Sequence, residues 1–248
     1  MFDATIYRNR RQQLKQALGR GLLLFMGNKE LPMNYPGNVL PFRQDSSFLY
    51  YFGIDRPGLN AIIDIDNDTE IIFGDDITLD DVVWMGPQTP LAEIAQQVGV
   101  LNVQPANAFI PVIQQAIRQK RSVHYLPQYQ DYARLLLAEA LGEPVAKIDQ
   151  NYSETFTNAV IAQRSIKQPE EIKEIEAALA ITYEAHQKAM VLTRPRLSEM
   201  FIAGKVMGEV WKHGVNFSFP LIFTVRGEIL HNAPTHRTLQ AGQLVLCD

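Results

Sequence analysis

Only one cysteine, Cys247, occurs in the 248 residues, so an internal disulfide framework is excluded and the composition fits a reducing compartment. Long apolar runs are missing too. The longest, such as Gly21 to Met26, are far too short to cross a bilayer, and no membrane partner is expected. The N-terminus, Met1-Phe2-Asp3-Ala4-Thr5-Ile6-Tyr7-Arg8-Asn9-Arg10-Arg11, lacks the apolar core of a secretory signal. Without a secretory route the Asn-x-Ser sequons at Asn151 and Asn216 read as chance matches, and a cytoplasmic location is the expectation. There is no excess of positive charge. A net charge of -4 and a pI near 5.8 leave no basic footprint for nucleic acid, which is not expected as a partner. The motifs GxGxxG, GxxxxGK followed by Ser or Thr, and GxSxG are absent, which removes the simplest nucleotide-binding and serine-hydrolase readings. No internal repeat is present.

What is there is a core-forming composition, 46% apolar and 20% charged, at a length that suits two domains. Thr5 to Leu18 predicts a helix with Tyr7, Leu14 and Leu18 on one stripe, stopped by Gly19 and Gly21. Leu22 to Met26 is apolar on both faces, the mark of a buried strand. A loop with Pro32, Pro36, Gly37 and Pro41 follows. Phe42 to Gly53 then runs from charged and polar residues into an aromatic patch; the expectation is a short helix or turn with core-filling aromatics and a local Arg43–Asp45 pair. Ala61 to Ile65 and Glu70 to Phe73 form a predicted hairpin around Asp66-Asn67-Asp68. Asp64, Asp66 and Asp68 mimic the opening of a calcium loop, but Thr69 stands where the glycine belongs and Asp75 where the closing glutamate belongs, so turn chemistry explains them better. Asp75, Asp76, Asp80 and Asp81 read as a solvated loop. Helices are expected over Pro90 to Val98, Ala108 to Gln119 and Tyr129 to Leu141, with a strand over Ser122 to Leu126 that carries a structural His124. Strands alternating with helices point to an α/β layer.

Between Ile161 and Gln168 the chain changes character. Pro169 suits a first helical turn, Glu170 and Glu171 favour the positive end of the helix dipole, and Ile172, Ile175, Leu179, Tyr183, His186 and Met190 recur at helical spacing. His186 on that face reads as a satisfied core or interface histidine. Leu197 to His213 is a second helix, with Ser198 as cap, His213 in the last turn and Gly214 as terminator. Phe217 to Val225 is apolar and β-rich, Arg226-Gly227 turns, Glu228 to His231 is strand-like, Pro234 to Gly242 is loop, and Leu244 to Leu246 is a strand ending near Asp248. By spacing alone a strand-end histidine is ordinarily structural and an aspartate after a strand ordinarily forms a turn.

Three stretches together resemble the N-terminal part of the aminopeptidase P family, the Xaa-Pro aminopeptidases of the creatinase/prolidase group. They are Phe42-Arg43-Gln44-Asp45-Ser46-Ser47-Phe48-Leu49-Tyr50, Arg164-Ser165-Ile166-Lys167-Gln168-Pro169-Glu170-Glu171-Ile172, and Leu230-His231 followed by Leu239, Gly242, Leu244-Val245-Leu246 and Asp248. The resemblance implies an α/β N-terminal domain over residues 1–164, creatinase-like, with a mixed sheet and flanking helices. It implies a truncated α+β pita-bread catalytic domain over 165–248. Such enzymes bind two divalent ions, commonly manganese, through two aspartates, one histidine and two glutamates. Of those five ligands only Asp248 has a match here, and none of the dinuclear pair is expected to be held by this chain alone. His231 matches a histidine beside the metals that contacts substrate and steadies the reacting carbonyl. The implied partners are a peptide with proline second and further copies of the chain, as a dimer or larger homo-oligomer.

The chemistry suits these residue types. Carboxylate oxygens match manganese-class ions, paired ions can hold a hydroxide and orient a carbonyl, and an imidazole can donate to a developing oxyanion. A bond before proline has no N–H, so it needs its own recognition pocket. Two departures stand out: Asn232 where the family often has tyrosine, and Val225-Arg226-Gly227-Glu228 in place of a glycine- and asparagine-rich turn. His236 has no counterpart. The sequence is expected to continue past Asp248, and the 248 residues as they stand are expected to be inactive. The alternatives are a stand-alone, non-enzymatic oligomerisation or regulatory module, and a prolidase-type dipeptidase. With the family's remaining strands absent, Phe217 to Asp248 is expected to form an unfinished sheet with open edges.

Overall fold

The computed structural model describes residues 1–248, which divide into two compact units, Met1–Ile166 and Lys167–Asp248. In the first unit α1 (Ala4–Leu18) is followed by β1 (Leu22–Met26), the β2–β3 hairpin (Pro32–Tyr35, Asn38–Val39) and α2 (Ser46–Phe52). Then come β4 (Asn60–Asp64), β5 (Thr69–Phe73), α3 (Leu79–Met85), α4 (Leu91–Gln97) and β6 (Asn102–Gln104). The unit closes with α5 (Phe109–Arg118), β7 (Val123–Tyr125), α6 (Asp131–Leu141), α7 (Val145–Ile148) and α8 (Glu154–Ser165).

The sheet order is β6-β5-β4-β1-β7. β1 runs antiparallel to β4 and parallel to β7, and β5 pairs antiparallel with β4 and parallel with β6, which makes the sheet mixed. The period-two alternation of side chains builds two cores from one strand. Leu23 and Phe25 point with Ala61 and Ile63 into a layer filled by α1, α2, α4 and α8, where Phe25 packs edge-on against Phe52 and Phe156. Leu22, Leu24 and Met26 join Ile62, Ile71 and Phe73 in a second layer under α5, α6 and α7. The Phe42 to Gly53 stretch becomes α2, with Asp45 accepting from the Ser47 and Phe48 amides and four aromatics buried. Buried Gln44 ties it down: its carbonyl accepts from the Asn28 and Asp45 amides, and its amide donates to the Arg56 carbonyl.

The acids assigned to turn chemistry do cap the turn, with Asp64 accepting from the Asn67 amide at 3.1 Å, and they are also held by cations: Asp64 and Asp66 by Arg121, and Asp68 by Lys15 at 3.0 Å. The expected solvated loop at Asp80 and Asp81 is instead the first turn of α3, because Thr78 and Asp81 form a reciprocal capping box. The loop expected after Met26 contains the β2–β3 hairpin, held by backbone pairing between Pro32 and Val39.

The second unit packs α9 (Pro169–Leu192) against α10 (Glu199–Trp211) and carries the short antiparallel pair β8 (Phe223–Thr224) and β9 (Leu246–Cys247). α9 does not bury the face expected of it. Ile172, Ile175, Leu179, Tyr183 and Met190 are 44–68% exposed, and His186 is not a core residue either: it is exposed, with its Nδ1 3.0 Å from the Thr182 carbonyl. The stripe that packs is buried Ala185 and Ala189 flanked by partly buried Ile181 and Leu192, against Ile202, Ala203, Val206 and Val210 of α10. His213 lies 2.9 Å from Glu184 on α9, so its partner is a carboxylate as well as its own helix end. The strand expected over Glu228 to His231 is a turn, closed by the Ile229 amide on the Arg226 carbonyl. The β-rich run from Phe217 yields only two residues of strand, and β9 begins two residues later than the run suggested.

Candidate functional site

The β8–β9 pair stands between the two residues that the family resemblance singles out: Asp248 follows β9, and His231 lies on the loop after β8. Phe223 pairs with Cys247 and Thr224 with Leu246. Beyond them Ile222 and Asp248 exchange both backbone hydrogen bonds, at 2.8 and 2.9 Å. The ladder therefore fixes the Asp248 backbone while its side chain stays exposed. Cys247 beside it is half-buried, and burial, with the Asp248 carboxylate, pushes its thiol up from the ordinary value. His231 lies on the loop that leaves the other end of the ladder, residues 226–234, and is exposed. Asp248 pairs with Ile222, four residues before the first residue of that loop, roughly 13 Å along the strand direction.

The base of the loop is organised by a residue that belongs to none of the three family-like stretches. Glu199 opens α10 and is 0% exposed. One carboxylate oxygen accepts from the Thr224 hydroxyl at 3.1 Å and the Val225 amide at 2.8 Å. The other accepts from the Thr235 amide at 3.0 Å and the Thr235 hydroxyl at 2.6 Å. Arg237 stands 3.6 Å away. Burial opposes the charged form, but the bonds from Thr235, Val225 and Thr224 outweigh it and hold Glu199 below the ordinary carboxylate range. The Thr224 hydroxyl in turn accepts from the Arg226 amide at 3.0 Å and the Asn232 side-chain amide at 2.9 Å. Asn232, a departure from the family pattern and the residue next to His231, is thereby tethered to β8. The sequence did hold a signal for Glu199. It is spaced i, i+3, i+4 and i+7 with Ile202, Ala203 and Val206, which puts a carboxylate on the apolar face of α10.

Nowhere do three or more His, Cys, Asp or Glu side chains converge on a point that could hold a metal ion. A cavity of about 470 Å³ in this unit is lined by α9, α10, Phe217, Phe219 and the end of β9, including Asp248 but not His231. Its walls are mostly apolar. In the first unit a cleft of about 630 Å³ lies among Asn28, Phe42, Arg43, Tyr129 and Arg164.

A mixed α/β unit followed by a helical unit with the start of a small sheet is the arrangement seen in a class of metallopeptidases. Residues 7–125 match the aminopeptidase P N-terminal domain, and residues 173–248 match metallopeptidase family M24. The chain thus combines an aminopeptidase P N-terminal domain with the start of a pita-bread metallopeptidase domain. Among curated relatives, the Xaa-Pro aminopeptidase of Haemophilus influenzae is 28% identical over 84% of this chain and 48% of its own length. That of Escherichia coli is 24% identical over 98% of this chain and 57% of its own. The solved structure of aminopeptidase P from E. coli in its low-pH form superposes with a TM-score of 0.81, over 100% of this chain and 59% of that one, at 24% identity. The chain spans about half the length of the curated relatives it matches. No helix is long and apolar enough to cross a membrane.

Proposed function

We propose that this chain is the N-terminal portion of a dinuclear-metal aminopeptidase that removes the N-terminal residue from peptides with proline second. Residues 1–164 serve as the N-terminal domain and 165–248 as the incomplete catalytic domain. The observation that supports the reading is the β8–β9 ladder, with the exposed Asp248 paired to Ile222 at one end and the loop bearing the exposed His231 leaving the other. Asp248 is read as one hard oxygen donor to a divalent ion of the manganese class. His231 is read as the group that contacts substrate and donates to the oxygen of the reacting carbonyl. One carboxylate cannot build a two-ion site, so the 248 residues by themselves are read as inactive. The test is release of the free N-terminal residue from an Xaa-Pro peptide in the presence of manganese. None above the peptide blank is expected, and manganese-dependent release by this polypeptide overturns the ligand assignment.

Self-association accompanies this reading. α3 buries none of its residues, and Leu79, Val83, Trp84 and Met85 are exposed on it, which supplies apolar surface for contact between copies. Light scattering on the eluted protein tests it, and a strict monomer counts against it. Two other readings have one observation each. The two-sided core of Met1–Ile166 favours a self-sufficient non-enzymatic module. Asn232, where the family often has tyrosine, favours a prolidase-type dipeptidase. A reading frame that stops after Asp248 supports the first, and cleavage of Xaa-Pro dipeptides but not longer peptides by the extended protein supports the second.

A further inference from the structure

We propose that Glu199 is a positioning residue, whose buried carboxylate sets the presentation of His231 through the Thr224 hydroxyl and the Asn232 amide. The inference deepens the proposed function, because it rests on His231 being the working residue of that loop. Its basis is the direction of the hydrogen bonds. A threonine hydroxyl has one proton and two acceptor sites. Glu199 takes the Thr224 proton, so both Thr224 lone-pair sites face the loop, where they receive the Arg226 amide and the Asn232 side chain. Glu199 simultaneously holds the far end of the loop by two bonds from Thr235. One carboxylate thus closes both ends of residues 226–234 and, through Thr224, anchors the residue adjacent to His231.

The requirement is for an anion with two accepting oxygens. All four bonds to Glu199 come from donors, and its second oxygen receives the Thr235 amide, which cannot turn away. A neutral carboxamide keeps the volume but offers one accepting oxygen, so Glu199→Gln faces an N–H with an N–H. Backbone bonds reinforce the same junction from outside the carboxylate: the Glu199 amide donates to the Arg237 carbonyl and the Met200 amide to the Thr235 carbonyl. The helix therefore stays attached when the charge is removed, and the loop is what loosens.

The experiment uses the 248-residue chain and requires neither metal nor peptide. Amide hydrogen exchange of Val225, Arg226 and Thr235 is compared in wild type, E199Q and N232A, together with the imidazole carbon–proton resonance of His231. E199Q is expected to speed exchange at all three amides by about tenfold or more, with β1 and β4 amides unchanged as the internal control. It is also expected to move the His231 resonance. N232A, which leaves the carboxylate intact, is expected to move the His231 resonance while Val225 and Thr235 keep their protection. If E199Q does not fold, as judged by circular dichroism, N232A decides alone. An unmoved His231 resonance in N232A, or unchanged exchange in a folded E199Q, overturns the proposal. Failure of the functional reading has a different signature: His231→Ala in a polypeptide extended past Asp248 keeps full peptidase activity while the exchange results stand.

Discussion

Replacing Arg11 with methionine should cost the first unit about 3 kcal/mol, at the low end of the range for orphaning a buried, hydrogen-bonded charge pair. Arg11 lies on α1 at 0% exposure. Its Nε donates to Glu70 at 2.8 Å, and its terminal nitrogens donate to the Tyr51 carbonyl at 2.9 Å and the Val98 carbonyl at 3.1 Å. One guanidinium thus links α1 to α2, β5 and the end of α4. Methionine fills much of the volume but supplies no donor, so two buried carbonyls and one carboxylate lose a partner. Glu70 does not become wholly unpaired, because Lys15 remains 2.8 Å from its other oxygen, and this places the expectation at the lower end. With a urea slope of about 2 kcal/mol per molar for a domain of this size, the midpoint should fall by about 1.5 M. Hydrogen exchange of β1 and β4 amides in urea reads the first unit, and α10 amides serve as the control, since the two units need not unfold together. In the double variant R11M/E70Q the loss should fall below the sum of the single losses by about 1 kcal/mol or more. A loss under about 1 kcal/mol for R11M, or strict additivity, would refute the assignment of Arg11 as a shared internal donor.

Gly53→Ala should destabilise the first unit by about 2 kcal/mol or more in thermal unfolding, because Gly53 has φ +66° and a Cβ there would stand 2.2 Å from the Tyr7 ring. A shift equivalent to under about 0.5 kcal/mol would contradict that contact. The second unit should lose stability in acid. Glu199 is held below the ordinary carboxylate range in the folded chain, so its contribution is complete above the unfolded value of about 4.3 and disappears as pH falls through the folded value. E199Q should flatten that part of the pH curve, and an unchanged acid limb would contradict it. The first unit should weaken earlier on acidification. Burial, aided by Arg20, pulls His124 below its ordinary value, so stability present above about 6.5 is lost as pH falls toward the folded value. His124→Gln should remove this limb in urea titrations run from pH 7.5 to 5.

The parts of the fold that could be read from sequence are those whose cause is local. β1 announces itself because both its faces are apolar, and the β4–β5 hairpin because an Asp-Asn-Asp turn sits between two apolar runs. α10 has its cap at Ser198 and its apolar stripe in plain order. The parts that were missed have distant causes. β6 is three residues, two of them polar, and exists because β5 offers an edge. Arg10 and Arg11 look like the polar side of α1, yet they bury because their acceptors lie 40 or more residues away. Glu199 is hidden in the same way, with partners 25 to 36 residues on. On α9 the largest apolar residues drew attention, but close approach to α10 selects alanine at the contact and leaves the large side chains outside. His231 and Asp248 were weak by spacing and gained meaning only through the family resemblance; the ladder that relates them joins segments more than twenty residues apart.

Under the proposed reading Asp248 supplies one carboxylate of a metal site, and the residues present hold no pair of metal ions. Titrating manganese into the 248-residue protein, with bound ions counted by electron paramagnetic resonance, tests it most directly. At most one weakly held ion is expected, lost in Asp248→Asn. Two tightly bound, magnetically coupled manganese ions per chain would contradict it.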